Sequence, residues 1–291
     1  MQRKKVLAGL IALMVSALPL AHAAPATASS AHAAKSITIG DIGWDEDVAV
    51  NNVLKILLQD KYGYHVNLQL ADAGLLYQGV STGGVDAFMD TWLPNTQKIY
   101  WAKYSGKVVK LAPWYHGDAN IGLAVPDYVK AKTIADLNKY RSDFGGQIVG
   151  IEAGSGEMSV VQKAVLSGYG LKYTVQASST PAMLAAVKRA LASKKPIVFT
   201  AWKPHWMFTA YPVRYLTDPK GLMGGTEQLS GIVSKGFAKA QPQAYKLISH
   251  VSLNQSQLGS LELDIKNASD PATGASAWVK ANQSVVNSWL K

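Results

Sequence analysis

The alternation of apolar and polar positions divides the chain into a leader, two β/α series and a helical tail. Ser36 to Gly40 alternates and is β-branched, which predicts a strand, and residues 47–58 then repeat apolar side chains at helical spacing. A second strand over 64–70, a helix over 74–81 stopped by Gly83-Gly84, and a short strand over 85–89 complete a βαβαβ series. That order is the pattern of a parallel sheet covered by helices. Beyond residues 121–126 the series restarts: a helix turn at 133–137, a strand at 147–151, a helix at 158–167, a strand at 173–176, a helix at 180–192 and a buried strand at 196–200. From about Ser230 the pattern is mostly helical, over 242–251, 255–265 and 271–290, and this tail is expected to return to cover the first series.

The first residues change the picture of where the protein works. Arg3, Lys4 and Lys5 precede an apolar run to about Leu20, and Ala21-His22-Ala23 then fits the small-residue cleavage pattern of a secretory signal. Residues 1–23 are therefore expected to be a signal peptide and 24–35 an Ala/Ser/Thr-rich leader outside the fold. Cysteine is absent, so a disulfide framework, a thiolate metal site, a cysteine nucleophile and a lipid-modified N-terminal cysteine are all excluded. An exported chain without that anchor points to a periplasm, with free secretion as the alternative. The formal net charge is +10, and signal cleavage removes three of those positive charges. The remaining lysines are scattered, with no stripe that would suit a nucleic acid.

Eight tryptophans stand in the 291 residues, and the placement of three of them suggests chemistry. Trp44 in Gly43-Trp44-Asp45-Glu46-Asp47, Trp92 in Asp90-Thr91-Trp92-Leu93-Pro94-Asn95-Thr96 and Trp202 in Ala201-Trp202-Lys203-Pro204-His205-Trp206 are expected at strand-to-helix junctions. Ligand sites in open α/β sheets lie beyond the carboxyl ends of strands. Buried packing is the competing reading for these three and the favoured one for Trp278 and Trp289; Trp101, Trp114 and Trp206 fit either. A tryptophan face attracts a cation by about 0.5–2 kcal/mol, and a quaternary ammonium, having no N–H to donate, needs such faces. A second constellation, Glu152-Ala153-Gly154-Ser155-Gly156-Glu157, runs a strand through a glycine-rich turn into a helix, whose free N–H groups suit an anion. A cation cage beside an anion pocket fits a zwitterion such as a betaine.

Enzyme readings find less support. The Gly154-Ser155-Gly156 turn is not a G-x-S-x-G elbow, and none of His65, His116, His205 and His250 has a partner at metal-ligand spacing. A secreted hydrolase using Ser155 or His205, and a carbohydrate binder with coplanar aromatics, are the alternatives from other classes. No cofactor motif or metal site is expected.

At the four stretches around Trp44, Trp92, Gly150 to Gly156 and Trp202 to Met207, in this order and spacing, the sequence resembles the glycine betaine/proline betaine-binding proteins of ABC importers and their choline-binding relatives, over residues 36–291. The resemblance implies an α/β, two-lobed type II periplasmic-binding-protein fold with a ligand cleft between the lobes. Lobe 1 would comprise 36–122 and 229–291, and lobe 2 would comprise 123–228. It implies a cage of Trp44, Trp92 and Trp202 around a trimethylammonium group, with backbone amides near Gly156 and Glu157 holding a carboxylate. Ser155, Asp45, Glu46 and His205 are further candidates for a ligand carboxylate or hydroxyl. Several family members bind that carboxylate with a histidine five residues past the second tryptophan, where this chain has Gln97; an amide donates a hydrogen bond without a positive charge. Choline-binding relatives carry a fourth aromatic where this chain has Ile121. Betaine is placed ahead of choline, with carnitine as a further candidate. The implied partners are a membrane permease and its ATPase, and the chain is expected to act as a monomer.

Overall fold

The structure is a computed structural model that describes residues 35–291. The expected signal peptide and all but the last residue of the expected leader lie outside the described residues. The chain begins with β1 (Ser36–Asp41), α1 (Asp45–Tyr62), β2 (His65–Leu70), α2 (Ala73–Thr82), β3 (Ala87–Leu93), α3 (Lys98–Tyr104), β4 (Val108–Pro113) and β5 (Tyr115–His116). It continues through β6 (Asn120–Pro126), a 3₁₀ turn at Ile134–Tyr140, β7 (Gln147–Val149), α4 (Gly156–Val160), α5 (Leu166–Gly168), β8 (Thr174–Gln176), α6 (Thr180–Ser193), β9 (Phe199–Lys203), α7 (Met207–Ala210) and β10 (Val213–Tyr215). The return comprises β11 (Gln228–Ser234), α8 (Phe237–Ala240), α9 (Pro242–His250), β12 (Leu253–Asn254), α10 (Gln255–Asn267), α11 (Pro271–Ala281) and α12 (Gln283–Trp289).

Two five-stranded sheets result, ordered β2-β1-β3-β11-β4 and β10-β6-β9-β7-β8. Each is the centre of one lobe. The chain passes from the first sheet to the second between β5 and β6 and returns between β10 and β11, so two segments connect the lobes. In the first sheet β1 runs parallel to β2 and β3, whereas β11 is antiparallel to β3 and β4. The second sheet repeats this mixture, with β7 parallel to β8 and β9 and β6 antiparallel to β9.

The α1 helix shows how sequence positions the site. Val50, Val53, Leu54, Leu57 and Leu58 are buried on its inner face, and the α10 and α11 helices pack against it. Its end is set by Gly63, whose φ of 68° is the left-handed conformation that closes a helix at little cost for glycine. Asp45, Glu46 and Asp47 fill its first turn, where the helix macrodipole favours negative charge.

Several elements differ from the sequence expectation. The third strand runs on through Trp92 to Leu93, and the strand expected at 196–200 is formed at Phe199–Lys203, so Trp92 and Trp202 lie within strand ends rather than past them. The antiparallel strand β11 was not expected. Six of its seven residues are buried, and serines and a glycine stand among its apolar positions, which erases the period-two signal. The helix expected over 158–167 contains a π-helical turn at Val161–Val165, and the long last helix is two, parted at Asn282.

Candidate functional site

Each of the three tryptophans is placed by a different local device. Gly43, at a φ of 79°, turns the chain after β1 so that Trp44 becomes the residue preceding α1. Trp92 is the penultimate residue of β3, and Trp202 the penultimate residue of β9. All three are buried, and they line one small cavity. The ring centroids of Trp44 and Trp202 lie 6.0 Å apart with planes inclined at 44°. Ile121, Ile151, Thr96 and Glu157 complete the lining.

A buried indole N–H needs an acceptor, and here each acceptor is a carboxylate. Trp202 Nε1 donates to Glu46 Oε2 at 2.8 Å, Trp92 Nε1 to Asp90 Oδ1 at 2.9 Å and Trp44 Nε1 to Glu152 Oε2 at 3.2 Å. Glu152 is itself held by the backbone N–H and hydroxyl of Thr180. The bonds cross between lobes in both directions, because Trp44 and Glu46 belong to the first and Glu152 and Trp202 to the second. They fix the orientation of the three rings that line the cavity.

These carboxylates are unusual in their burial. Asp90 is wholly buried, which pushes its carboxyl up to about 8; the Trp92 bond opposes this and nearby Asp41 adds to it. Burial also raises Glu46 well above the ordinary glutamate range, helped by Asp90 and Glu262 and opposed by the Trp202 bond. Asp47 is raised for the same first reason, then by Asp90 and Asp41. Glu46 Oε1, Asp47 Oδ1 and Asp90 Oδ2 each lack a hydrogen-bond partner. A positive charge entering the cavity would favour the ionised forms of all three.

The remaining candidates are distributed around this centre. Glu157 lines the cavity, buried, with Oε1 accepting the Ala201 N–H at 3.0 Å. Ser155 caps the α4 helix, its Oγ accepting the Met158 N–H at 3.1 Å. A Cβ added to Gly156 would stand 2.2 Å from the Thr96 carbonyl oxygen, so only glycine allows this approach of second-lobe to first-lobe backbone. Gln97 is buried and bonded within the first lobe: its Oε1 accepts from the Tyr77 hydroxyl at 2.9 Å and its Nε2 donates to the Asp90 carbonyl at 3.0 Å. It does not line the cavity. Asp45 accepts from Trp206 Nε1 at 2.6 Å and lies 3.1 Å from His205 Nε2. His205 Nδ1 accepts the Met207 N–H, which places the imidazole proton on Nε2. His205 packs edge-on against Trp202 from outside the cavity, at 4.7 Å between centroids.

A larger, open cleft lies behind His205 and Trp206, bordered by Phe208, Gln255 and Glu262. It contains none of the three tryptophans, which line the smaller cavity instead. Among the described residues no group of three His, Cys, Asp or Glu side chains is arranged to hold a metal ion, and Ser155 and His205 share no hydrogen bond. Trp278 and Trp289 stack at 6.4 Å in the core under the tail helices. Sequence reasoning did not single out Glu152, Asp90 or Trp206 as anchors; Asp90, two residues before Trp92, carried a local signal, whereas Glu152 meets a tryptophan 108 residues away.

Comparison with known proteins follows this geometry. Residues 35–281 match the family described as the substrate binding domain of ABC-type glycine betaine transport system. The glycine betaine/carnitine transport binding protein GbuC of Listeria monocytogenes is 35% identical over 156 residues, which are 51% of this chain and 52% of that protein, so the chain spans about half the length of this relative. Lactococcal OpuAC, in a closed conformation complexed with glycine betaine, superposes with a TM-score of 0.81 at 36% identity, covering 88% of this chain and 100% of that one. An ABC-transporter choline binding protein in complex with choline superposes equally well, with a TM-score of 0.81 at 26% identity over 88% of this chain and 91% of the other. The two-lobed type II periplasmic-binding-protein fold is thus the fold of this chain.

Proposed function

The chain belongs to the family of substrate-binding domains of ABC-type glycine betaine transport systems, and on that premise we propose that it captures a quaternary-ammonium compound between Trp44, Trp92 and Trp202 and delivers it to a membrane permease. The observation that carries this reading is the cavity itself: three buried indoles converge on a space lined by no basic side chain. Three ring faces at about 0.5–2 kcal/mol each supply several kcal/mol toward the roughly −8 kcal/mol of a micromolar complex. Glycine betaine and choline, the ligands named for the two similar structures, share the trimethylammonium group, and proline betaine and carnitine carry comparable heads. The chain works as a carrier rather than an enzyme, without a cofactor, as a monomer in the periplasm after its signal peptide is removed. No helix among the described residues is long and apolar enough to cross a membrane.

Calorimetric titration of the mature protein with glycine betaine, proline betaine, choline and carnitine tests the proposal. At least one is expected to bind at micromolar level or better in wild type and to lose about tenfold or more in Trp92→Ala, since a face and its buried area go together. No binding of any of the four would overturn it.

A further inference from the structure

The chemical class of ligand can be narrowed by asking what charge the cavity presents beyond its ring faces. We infer that the site selects quaternary ammoniums with a net positive charge, ending in a hydroxyl or another neutral group, over zwitterions that end in a carboxylate, and that Glu157 makes the selection. This rests on the tryptophan-cage reading above and deepens it.

Glu157 is the one charged side chain among the residues lining the cavity. It is fixed there, because its carboxylate accepts backbone N–H groups of Ala201 and Gly122, on neighbouring strands of the second sheet. Behind the rings stand Glu46, Asp90 and Glu152, one hydrogen bond away. Every titratable side chain that lines the cavity or holds a ring N–H is therefore an acid. The nearest basic groups are turned elsewhere. Lys203 Nζ lies over the rings of Phe208 and Tyr215, at 5.1 Å and 5.5 Å from their centroids. His205 holds its proton on the nitrogen beside Asp45, packs against Trp202 with the ring planes at 84°, and does not line the cavity.

A ligand carboxylate would need donors or a cation to replace its water. Gln97 offers neither, since it does not line the cavity and its amide is bonded inside the first lobe. The amides at the start of the α4 helix point toward an anion only with the Glu157 carboxylate beside them, in the same turn. A hydroxyl, by contrast, can donate to Glu157, and a net cation draws each acid in the shell toward its ionised form and is then attracted by it. Burial raises the Glu157 carboxyl well above the ordinary range, so a neighbouring cation also restores its ionised form, whereas an anion opposes it.

The test compares choline, glycine betaine and tetramethylammonium by calorimetry on the purified protein, in wild type and in Glu157→Gln. Choline is expected to bind wild type at least about tenfold more tightly than glycine betaine, the ratio that about 1.4 kcal/mol corresponds to, and the ratio should shrink severalfold in Glu157→Gln. Glycine betaine binding as tightly as choline or more so, or a ratio unchanged in the variant, would overturn the inference and leave the cage intact. Silence to all three probes would sink the cage reading along with it. The wild-type comparison needs no variant, so it stays decisive should Glu157→Gln fail to fold.

Discussion

Trp92 meets two demands in one side chain: its face lines the cavity, and its N–H must be satisfied where water does not reach. Asp90, two residues earlier on the same strand, accepts that N–H. The cost of this solution is a carboxyl in the core, and the consequence is measurable. The folded chain holds the Asp90 proton up to about pH 8, while an unfolded aspartate gives it up near its ordinary value of 3.8. Between those limits the native state binds more protons than the unfolded state, so stability falls as pH rises from about 4 to about 8. Glu46, Asp47, Glu157 and Glu262, all raised by burial, act in the same direction. Thermal unfolding of the ligand-free protein should therefore shift to lower temperature from pH 5 to pH 8, and Asp90→Asn, which keeps an acceptor for Trp92, should flatten that slope. A slope indifferent to the substitution would contradict the assignment. At this scale the sequence was informative about the three tryptophans, because their flanking glycine, prolines and acids marked unusual backbone. It was silent on the anchors, since which carboxylate a ring N–H reaches is decided across 156 residues for the Glu46 and Trp202 pair.

At the scale of elements, the site depends on how closely the α4 start approaches the segment after β3. Gly156 sits against the Thr96 carbonyl with no room for a methyl group. Gly156→Ala should weaken ligand binding by an order of magnitude or more, by holding the lobes apart, while leaving the unfolding temperature of the empty protein within about 1–2 °C, because neither sheet is disturbed. Titration and thermal unfolding of the same variant check both halves; unchanged affinity would mean that this contact is not needed for closure. Local pattern located β1, α1, β2, α2 and α6 within a few residues, each having a clear period and a stop signal. The central antiparallel strand β11 escaped because its neighbours β3 and β4 cover both edges and the sheet is covered on both faces, so that Leu229, Ser230, Gly231 and Ile232 are alike buried and no alternation remains.

For the molecule as a whole, the carboxylate bonds to Trp44, Trp202 and Trp206 each join one lobe to the other, as does the Tyr100 hydroxyl bond to the Gly154 carbonyl at 2.7 Å. The same contacts that orient the three rings therefore also join the lobes. The two-lobe architecture followed from the restart of the β/α series near residue 121, and the double crossing from the tail expected to return to the first lobe; the mixed sheets came only with the antiparallel strands β11 and β6. The most direct measurement of the central claim is a crystal structure of the protein with a bound quaternary ammonium. The nitrogen is expected within about 6 Å of the ring centroids of Trp44, Trp92 and Trp202, the range of a cation over an aromatic face. Density for the ligand in the open cleft beside Trp206 and Phe208, with the tryptophan cavity empty, would contradict it.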